Sequence, residues 1–245
     1  MTAIQIQIVR KTYRPKGETE APLILKDLSI RLGSGEFACL VGPSGCGKTT
    51  LLNIAAGLDR DFEGSVRIET DTDKPHIGYV FQNPRLIPWR TVRENIELAL
   101  PKEADPAYID HLFEVVGLAD AQNVFPERLS LGMSRRVALV RAFAVNPDLL
   151  LMDEPFVSLD PPTARRVREL VVTLWQERPH TVLFVTHDLR EAIELADRLI
   201  FLSSQPTSVI CDIPVDIPRL ERNETAIETF RQQLYADHAV IRTLL

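Results

Sequence analysis

The run GPSGCGKTT at Gly42–Thr50 constrains this chain more than any other feature. It fits G-x-x-x-x-G-K-[ST] at Gly42, Gly47, Lys48 and Thr49, with Pro43, Ser44, Gly45 and Cys46 inside the loop and Thr50 after it. An apolar, strand-like stretch, Phe37–Val41, precedes the run, and a helix-compatible stretch, residues 49–56, follows it. Glycines let a backbone wrap closely around phosphate oxygens, so that successive N–H groups and a helix N-terminus point at the anion. In such a loop Lys48 reaches the β- and γ-phosphates and the Thr49 hydroxyl ligates Mg²⁺. The bland alternative is an ordinary glycine-rich turn, and the strand before and helix after argue against it. The run implies a nucleoside triphosphate.

Size and composition narrow the classes. The chain has 245 residues, 45% hydrophobic and 25% charged, enough for one large α/β domain with an inserted subdomain. A formal net charge of −6 gives no support for a nucleic-acid or anionic-lipid surface, although a local basic patch stays compatible with it. No apolar run approaches the roughly 20 residues that a membrane helix requires. The N-terminal MTAIQIQIVRKTY alternates like a strand and lacks the apolar core of a signal peptide. Cys39, Cys46 and Cys211 form no metal or disulfide pattern, and a reducing, cytosolic location fits them.

Four short apolar runs each lead into a polar residue capable of chemistry. Phe37–Val41 leads into Gly42, residues 77–81 into Gln82, residues 149–152 into Asp153 and Glu154, and Thr181–Thr186 into His187. Continuous apolar runs suit strands covered on both faces of a mostly parallel sheet. Ligands bind beyond the carboxyl ends of such strands, so the four groups are expected to converge on one edge. Helices are legible between them. Residues 161–177 place Val167, Leu170, Val171 and Leu174 on one face behind Pro161 and Pro162. Residues 188–197 repeat that spacing, and Asp188 with Glu191 resembles a capping box. Residues 4–9, 25–32 and 64–69 suggest an antiparallel sheet. Residues 83–146 are helix-rich and interrupt the alternation, as an inserted subdomain would. Beyond Ser203 the pattern weakens into a proline-punctuated stretch and a terminal helix.

In LLLMDEP, a carboxylate at Asp153 can hold Mg²⁺ through its water shell, and Glu154 can orient the attacking water as general base. A pair of helix-capping acids is the structural alternative. Between the phosphate loop and these acids stands LSLGMSRR, Leu129–Arg136, which leads into a helical run. With these motifs in this order the chain resembles the nucleotide-binding subunits of ABC transporters, over roughly residues 4–205. The resemblance implies a P-loop NTPase core with a mostly parallel sheet, an antiparallel β subdomain and an inserted helical subdomain, all within one domain spanning 1–245, with 205–245 as a C-terminal tail. It implies ATP hydrolysis with Mg²⁺ and a head-to-tail homodimer, in which Ser130 and Gly132 cap the ATP held by the partner's loop. A plain helix N-cap is the alternative role for Ser130. The same resemblance makes Gln82 the residue that senses Mg²⁺ and the attacking water, and His187 a γ-phosphate contact. It places Thr49, Gln82 and Asp153 around the metal and Ser158, Leu159 and Asp160 at the dimer interface. Tyr13 stands where the family stacks an aromatic on adenine; packing within a β-hairpin is the alternative.

Two positions depart from the family pattern. Leu131 replaces its first signature glycine, and Met133 its glutamine. The first loses conformational freedom and the second a polar contact, which leaves open a slowly hydrolysing, regulatory cassette. LIPWRTVREN and the later IPVDIPR are similar to importers of nitrate, sulfonate or taurine type, while LSLGM is also similar to the LSGGM form of some lipid-transport relatives. The importer reading implies a permease partner contacted through residues 83–94, a periplasmic or extracellular solute-binding protein acting indirectly, and a peripheral place on the cytoplasmic face of the membrane. Soluble relatives acting on nucleic acid or ribosomes usually carry paired cassettes or long coiled-coil insertions, and this chain has neither; no nucleic-acid partner is expected.

Overall fold

The computed structural model describes residues 3–13, 22–70, 74–101 and 104–244, so Met1 and Thr2 of the alternating N-terminal run lie outside it. The chain divides into two compact units, Met1–Asp71 together with Thr181–Leu245, and Thr72–His180.

The first unit holds two sheets. In the antiparallel one, β1 (Ile4–Thr12) lies between β2 (Leu23–Leu32) and β4 (Glu63–Ile68). Ile4, Ile6 and Ile8 face inward at alternate positions, as a period of two requires. The register against β4 then slips between Ile8 and Arg10, and the bulge reverses the phase. Val9 is left exposed and Lys11 turns inward, where it is 1% exposed. In the second sheet β3 (Phe37–Val41) runs parallel to β7 (Thr181–Thr186) on one side and to β8 (Arg198–Leu202) on the other. Every residue of β3 and β7 is buried, which is why both read as unbroken apolar runs. Helix α1 (Lys48–Ala55) follows the phosphate loop, and α6 (Leu189–Leu195) follows β7.

Two expectations for this unit change. The stretch after Ser203 contains a strand, β9 (Val209–Pro214), antiparallel to β8, before α7 (Glu224–Asp237) and α8 (Ala239–Leu244). Its half-exposed residues and terminal proline suit a sheet edge and hide the strand in the sequence. The expected capping box at α6 is only half formed. Asp188 accepts the N–H groups of Arg190 and Glu191, but the Glu191 carboxylate takes the Thr186 hydroxyl at 2.8 Å instead of the Asp188 N–H. That N–H donates to Thr186 Oγ1 at 3.0 Å.

The second unit pairs β5 (Ile77–Val80) with β6 (Leu149–Asp153) in parallel and surrounds them with α2 (Val92–Glu97), α3 (Pro106–Val115), α4 (Leu131–Ala144) and α5 (Pro161–Glu177). Helix α5 has the bounds its periodicity predicts, capped by Asp160 and opened by two prolines. Helix α2 carries a full capping box between Thr91 and Glu94, signalled by T-x-x-E in the sequence.

Candidate functional site

Strand β3 delivers the chain to Gly42, and the loop closes onto α1 at Gly47, whose φ of 108° is a left-handed conformation. A Cβ there would stand 2.8 Å from Ile24 Cγ2 of β2, so only glycine fits. No side chain caps α1, and its first turn holds no acid. The helix therefore presents its N-terminal amides with positive polarity, the arrangement that binds anions. Lys48, 5% exposed, donates through Nζ to the carbonyl oxygens of Gly42 at 2.8 Å and Pro43 at 2.9 Å, which folds its ammonium back over the loop. Cys46 is buried, and that burial raises its thiol pKa against the opposing pull of Lys48. A reactive thiolate is thus disfavoured inside the loop.

Tyr13 follows β1 and is 43% exposed. Its hydroxyl donates to Asp59 Oδ2 at 2.8 Å, and the Lys11 ammonium lies 4.4 Å from the ring centroid. Lys11 in turn pairs with Asp59 at 2.8 Å. Burial and the Asp59 hydrogen bond raise the phenol pKa, while a hydrogen bond with Thr50 at the start of α1 opposes them. The ring is therefore both fixed in place and tied to the phosphate-loop helix. His187 follows β7 directly, exposed, with its neighbour Asp188 capping α6.

In the second unit, Gln82 lies just beyond β5, and Asp153 and Glu154 lie at the end of β6. Gln82 Nε2 donates to Glu154 Oε2 over 3.4 Å. Asp153 is 4% exposed, and Glu154 adopts a φ of 44°, an uncommon choice for a residue with a side chain. Neither acid begins a helix, since α5 starts only after its cap at Asp160. Capping therefore does not explain them.

Arg135 on α4 was not singled out from the sequence. It is 4% exposed and donates to the carbonyls of Phe81 and Val157, each at 3.3 Å. It thereby braces the backbone next to Gln82 and next to Ser158. Arg141, two turns along the same helix, holds the carbonyls of Pro84 at 2.7 Å and Arg85 at 3.1 Å. Six residues set the two about 120° apart around the helix, so no common face marks them in the sequence.

Ser130 is the N-cap of α4, accepting the Met133 N–H at 3.2 Å. The cap role is thus real, and the hydroxyl still has its own proton to donate. A Cβ on Gly132 would lie 2.9 Å from Thr163 Cγ2, so close approach of α5 requires glycine there. Leu131 is 45% exposed at the first helical position, which places no such demand on it. These residues, with Ser158, Asp160 and Arg166, line a cavity of about 620 Å³. The Thr163 hydroxyl, followed by its N–H, holds the Asp160 carboxyl below its ordinary range.

Among the described residues no cluster of three or more His, Cys, Asp or Glu is arranged to hold a metal, and no helix is long and apolar enough to cross a membrane. The residues expected around Mg²⁺ (Thr49, Gln82 and Asp153) offer hydroxyl, amide and carboxylate oxygens, and hard oxygen donors of this kind suit that ion.

Residues 25–157 match the family described as ABC transporter. The chain is 40% identical over 226 residues to the aliphatic sulfonates import ATP-binding protein SsuB of Bacillus licheniformis, covering 90% of this chain and 89% of the relative. It is 38% identical over 231 residues to the nitrate import ATP-binding protein NrtD of Synechococcus elongatus, covering 88% of this chain and 83% of that one. Among solved structures it resembles the dimeric post-hydrolysis state of the ATP-binding cassette MJ0796 bound to ADP and Pi. That match has a TM-score of 0.75 and 32% identity, and covers 88% of this chain and 100% of the other. With its phosphate loop, carboxylate strand end and serine-capped α4 all accounted for, this chain belongs to the ABC transporter family.

Proposed function

We propose that this chain is the ATP-hydrolysing subunit of an importer for a small anionic solute of the nitrate, sulfonate or taurine kind. Similarity to the sulfonate and nitrate import proteins, along nearly the whole chain, carries this reading. The loop from Gly42 to Thr50 cradles the phosphates through its amides, and Lys48 neutralises the outer ones. Tyr13 stacks on the base. Mg²⁺ would be held by Thr49, Gln82 and Asp153 and supplies charge neutralisation at the phosphates when bound. Glu154 accepts a proton from the attacking water, Gln82 orients that water, and His187 contacts the γ-phosphoryl oxygens.

Two copies close head to tail, each lending Ser130 and Gly132 to the other's nucleotide, in keeping with the dimeric state of the similar cassette. ATP binds the closed state better than the open one, and that difference drives the cycle. Trp89, 76% exposed, lies in the segment that meets the permease. Asn95 stiffens this segment from beneath by accepting the Ile87 N–H at 2.6 Å and donating to the carbonyls of Ile87, Arg90 and Thr91. The subunit thus sits on the cytoplasmic face of the membrane through its permease, with a solute-binding protein on the far side.

Purification of the tagged subunit from its native membranes tests this. An integral permease and an anion-specific solute-binding protein are the expected companions. A lipid-carrier assembly, or no membrane partner, would overturn the importer reading and leave the ATPase in place.

A further inference from the structure

The outer side of the phosphate loop is backed by a turn far along the chain. Residues 203–208 join β8 to β9 and are closed on themselves. The Ser203 N–H donates to the Ser208 carbonyl at 3.0 Å, the Ser208 N–H to Ser203 Oγ at 2.9 Å, and the Ser203 hydroxyl to the Pro206 carbonyl at 3.2 Å. Thr207 is fully buried, and its backbone is fastened to β2 on both sides. Its N–H donates to the Ile24 carbonyl at 2.8 Å, and its own carbonyl accepts the Lys26 N–H at 3.0 Å. The side chain so fixed donates its hydroxyl to the carbonyl of Cys46. Gln205 Nε2 donates to the adjacent carbonyl, that of Gly45, at 2.7 Å. Two consecutive peptide groups of the loop are therefore held by their oxygens.

In a planar trans peptide the C=O and the N–H point in opposite directions. A carbonyl pulled outward turns the N–H of the next residue inward. The Cys46 N–H is already taken by the Pro43 carbonyl at 3.3 Å, the same oxygen that Lys48 Nζ reaches, so the amide that the Thr207 contact turns inward is that of Gly47. We propose that Thr207, assisted by Gln205 on the neighbouring peptide, is a positioning residue of the phosphate loop, holding the Gly47 amide ready for phosphate oxygens before nucleotide arrives. Both act through the carbonyls of the loop. The inference rests on the reading of residues 42–50 as the nucleotide site. Preorganised donors spare a ligand the entropy of ordering them, so loss of the clamp appears as weaker binding.

The test is calorimetric titration of the full-length protein with ATP and with ADP, beside the melting temperature without nucleotide. Thr207→Val keeps the branched shape and removes the hydroxyl, and raises both dissociation constants roughly ten-fold, the scale of one lost buried hydrogen bond. Thr207→Ser restores the affinity. Unchanged affinity in Thr207→Val, whatever its melting temperature, overturns the proposal, because a merely structural hydroxyl would move stability alone. If that variant does not fold, Gln205→Ala on the exposed turn decides: a roughly threefold loss supports the clamp, and unchanged affinity overturns it. Lys48→Ala separates the two readings. Near-complete loss of binding in this variant, with Thr207→Val unaffected, rejects the clamp and keeps the site. Wild-type binding in Lys48→Ala rejects the phosphate-loop assignment and the clamp with it.

Discussion

Gln82 Nε2 donates to Glu154 Oε2 across 3.4 Å, a bond at the long end of the useful range. It joins the residue past β5 to the residue past β6 while both backbones are independently fixed by the paired strands and by Arg135. A contact that long is easily given up, and Glu154 sits at a φ of 44°, where side chains usually cost about 1–2 kcal/mol. So uncommon a backbone conformation is in keeping with the role proposed for Glu154, that of a base that meets the attacking water.

Glu154→Gln keeps the shape and the ability to meet Gln82 but cannot take a proton. Turnover is expected to fall by about 10²–10⁴, the usual contribution of a general base, with ATP affinity retained. In the proposed cycle hydrolysis reopens the dimer, so the variant accumulates closed dimer with ATP and Mg²⁺. Gel filtration at saturating ATP shows it, and a lone monomer peak would contradict the head-to-tail arrangement.

The start of α4 separates two substitutions that look alike on paper. Leu131→Gly alters an exposed residue and removes at most about 1 kcal/mol of helix stability, so little change in ATPase rate is expected. A many-fold gain on restoring glycine would instead identify a slow regulatory cassette. Gly132→Ala introduces a carbon 2.9 Å from Thr163 Cγ2, well inside the ~3.5–4.0 Å at which carbons pack. It moves α4 from α5 and weakens the ATP-dependent dimer. Thr163→Ser in the same chain removes that methyl, keeps the hydroxyl beside Asp160, and recovers dimer formation measured by sedimentation.

Tyr13 is predicted to act through its ring, which the Lys11 ammonium approaches and Asp59 orients. Tyr13→Ala raises the ATP dissociation constant about ten-fold, in line with the ~1–3 kcal/mol that stacking on one base provides. Tyr13→Phe retains most of the affinity. Inorganic triphosphate, which has no base, binds both variants like wild type. An equal loss for triphosphate would make Tyr13 a packing residue of the loop.

The features that were legible are those in which one local rule decides the outcome. Burial on both faces makes β3, β6 and β7 continuous apolar runs, and prolines after a capping aspartate start α5 at the predicted residue. The motif residues could be named because their spacing is short. What escaped depends on contacts between distant segments or on register. The alternation that buries Ile4, Ile6 and Ile8 would turn Arg10 inward, but the bulge leaves Arg10 exposed and gives the buried place to Lys11. Thr207 reaches a carbonyl 161 positions away, so no window around it hints at the partner. Arg135 reads as one more basic residue on a helix, and only the fold brings it to two loop carbonyls at once. Strand β9 hid for a related reason, since a half-solvated edge does not need an apolar run.

His180 gives the protein a specific weakness toward acid. Its ring meets Phe143 edge-on at 5.2 Å, and its Nε2 is buried with no hydrogen-bond partner among the described residues. That burial lowers its pKa to about 4 from 6.5, partly opposed by the Arg178 backbone. The folded value lies below the unfolded one, so as pH falls the unfolded chain takes up the proton first. The stability that neutral His180 contributes is therefore complete above about pH 6.5 and is lost progressively toward pH 4. The loss across that window is on the order of 2–3 kcal/mol. His180→Phe fills the same apolar place without titrating, and its melting temperature is expected to fall less steeply between pH 6.5 and 4 than that of the wild type. Parallel curves for the two proteins would assign the acid sensitivity to other groups.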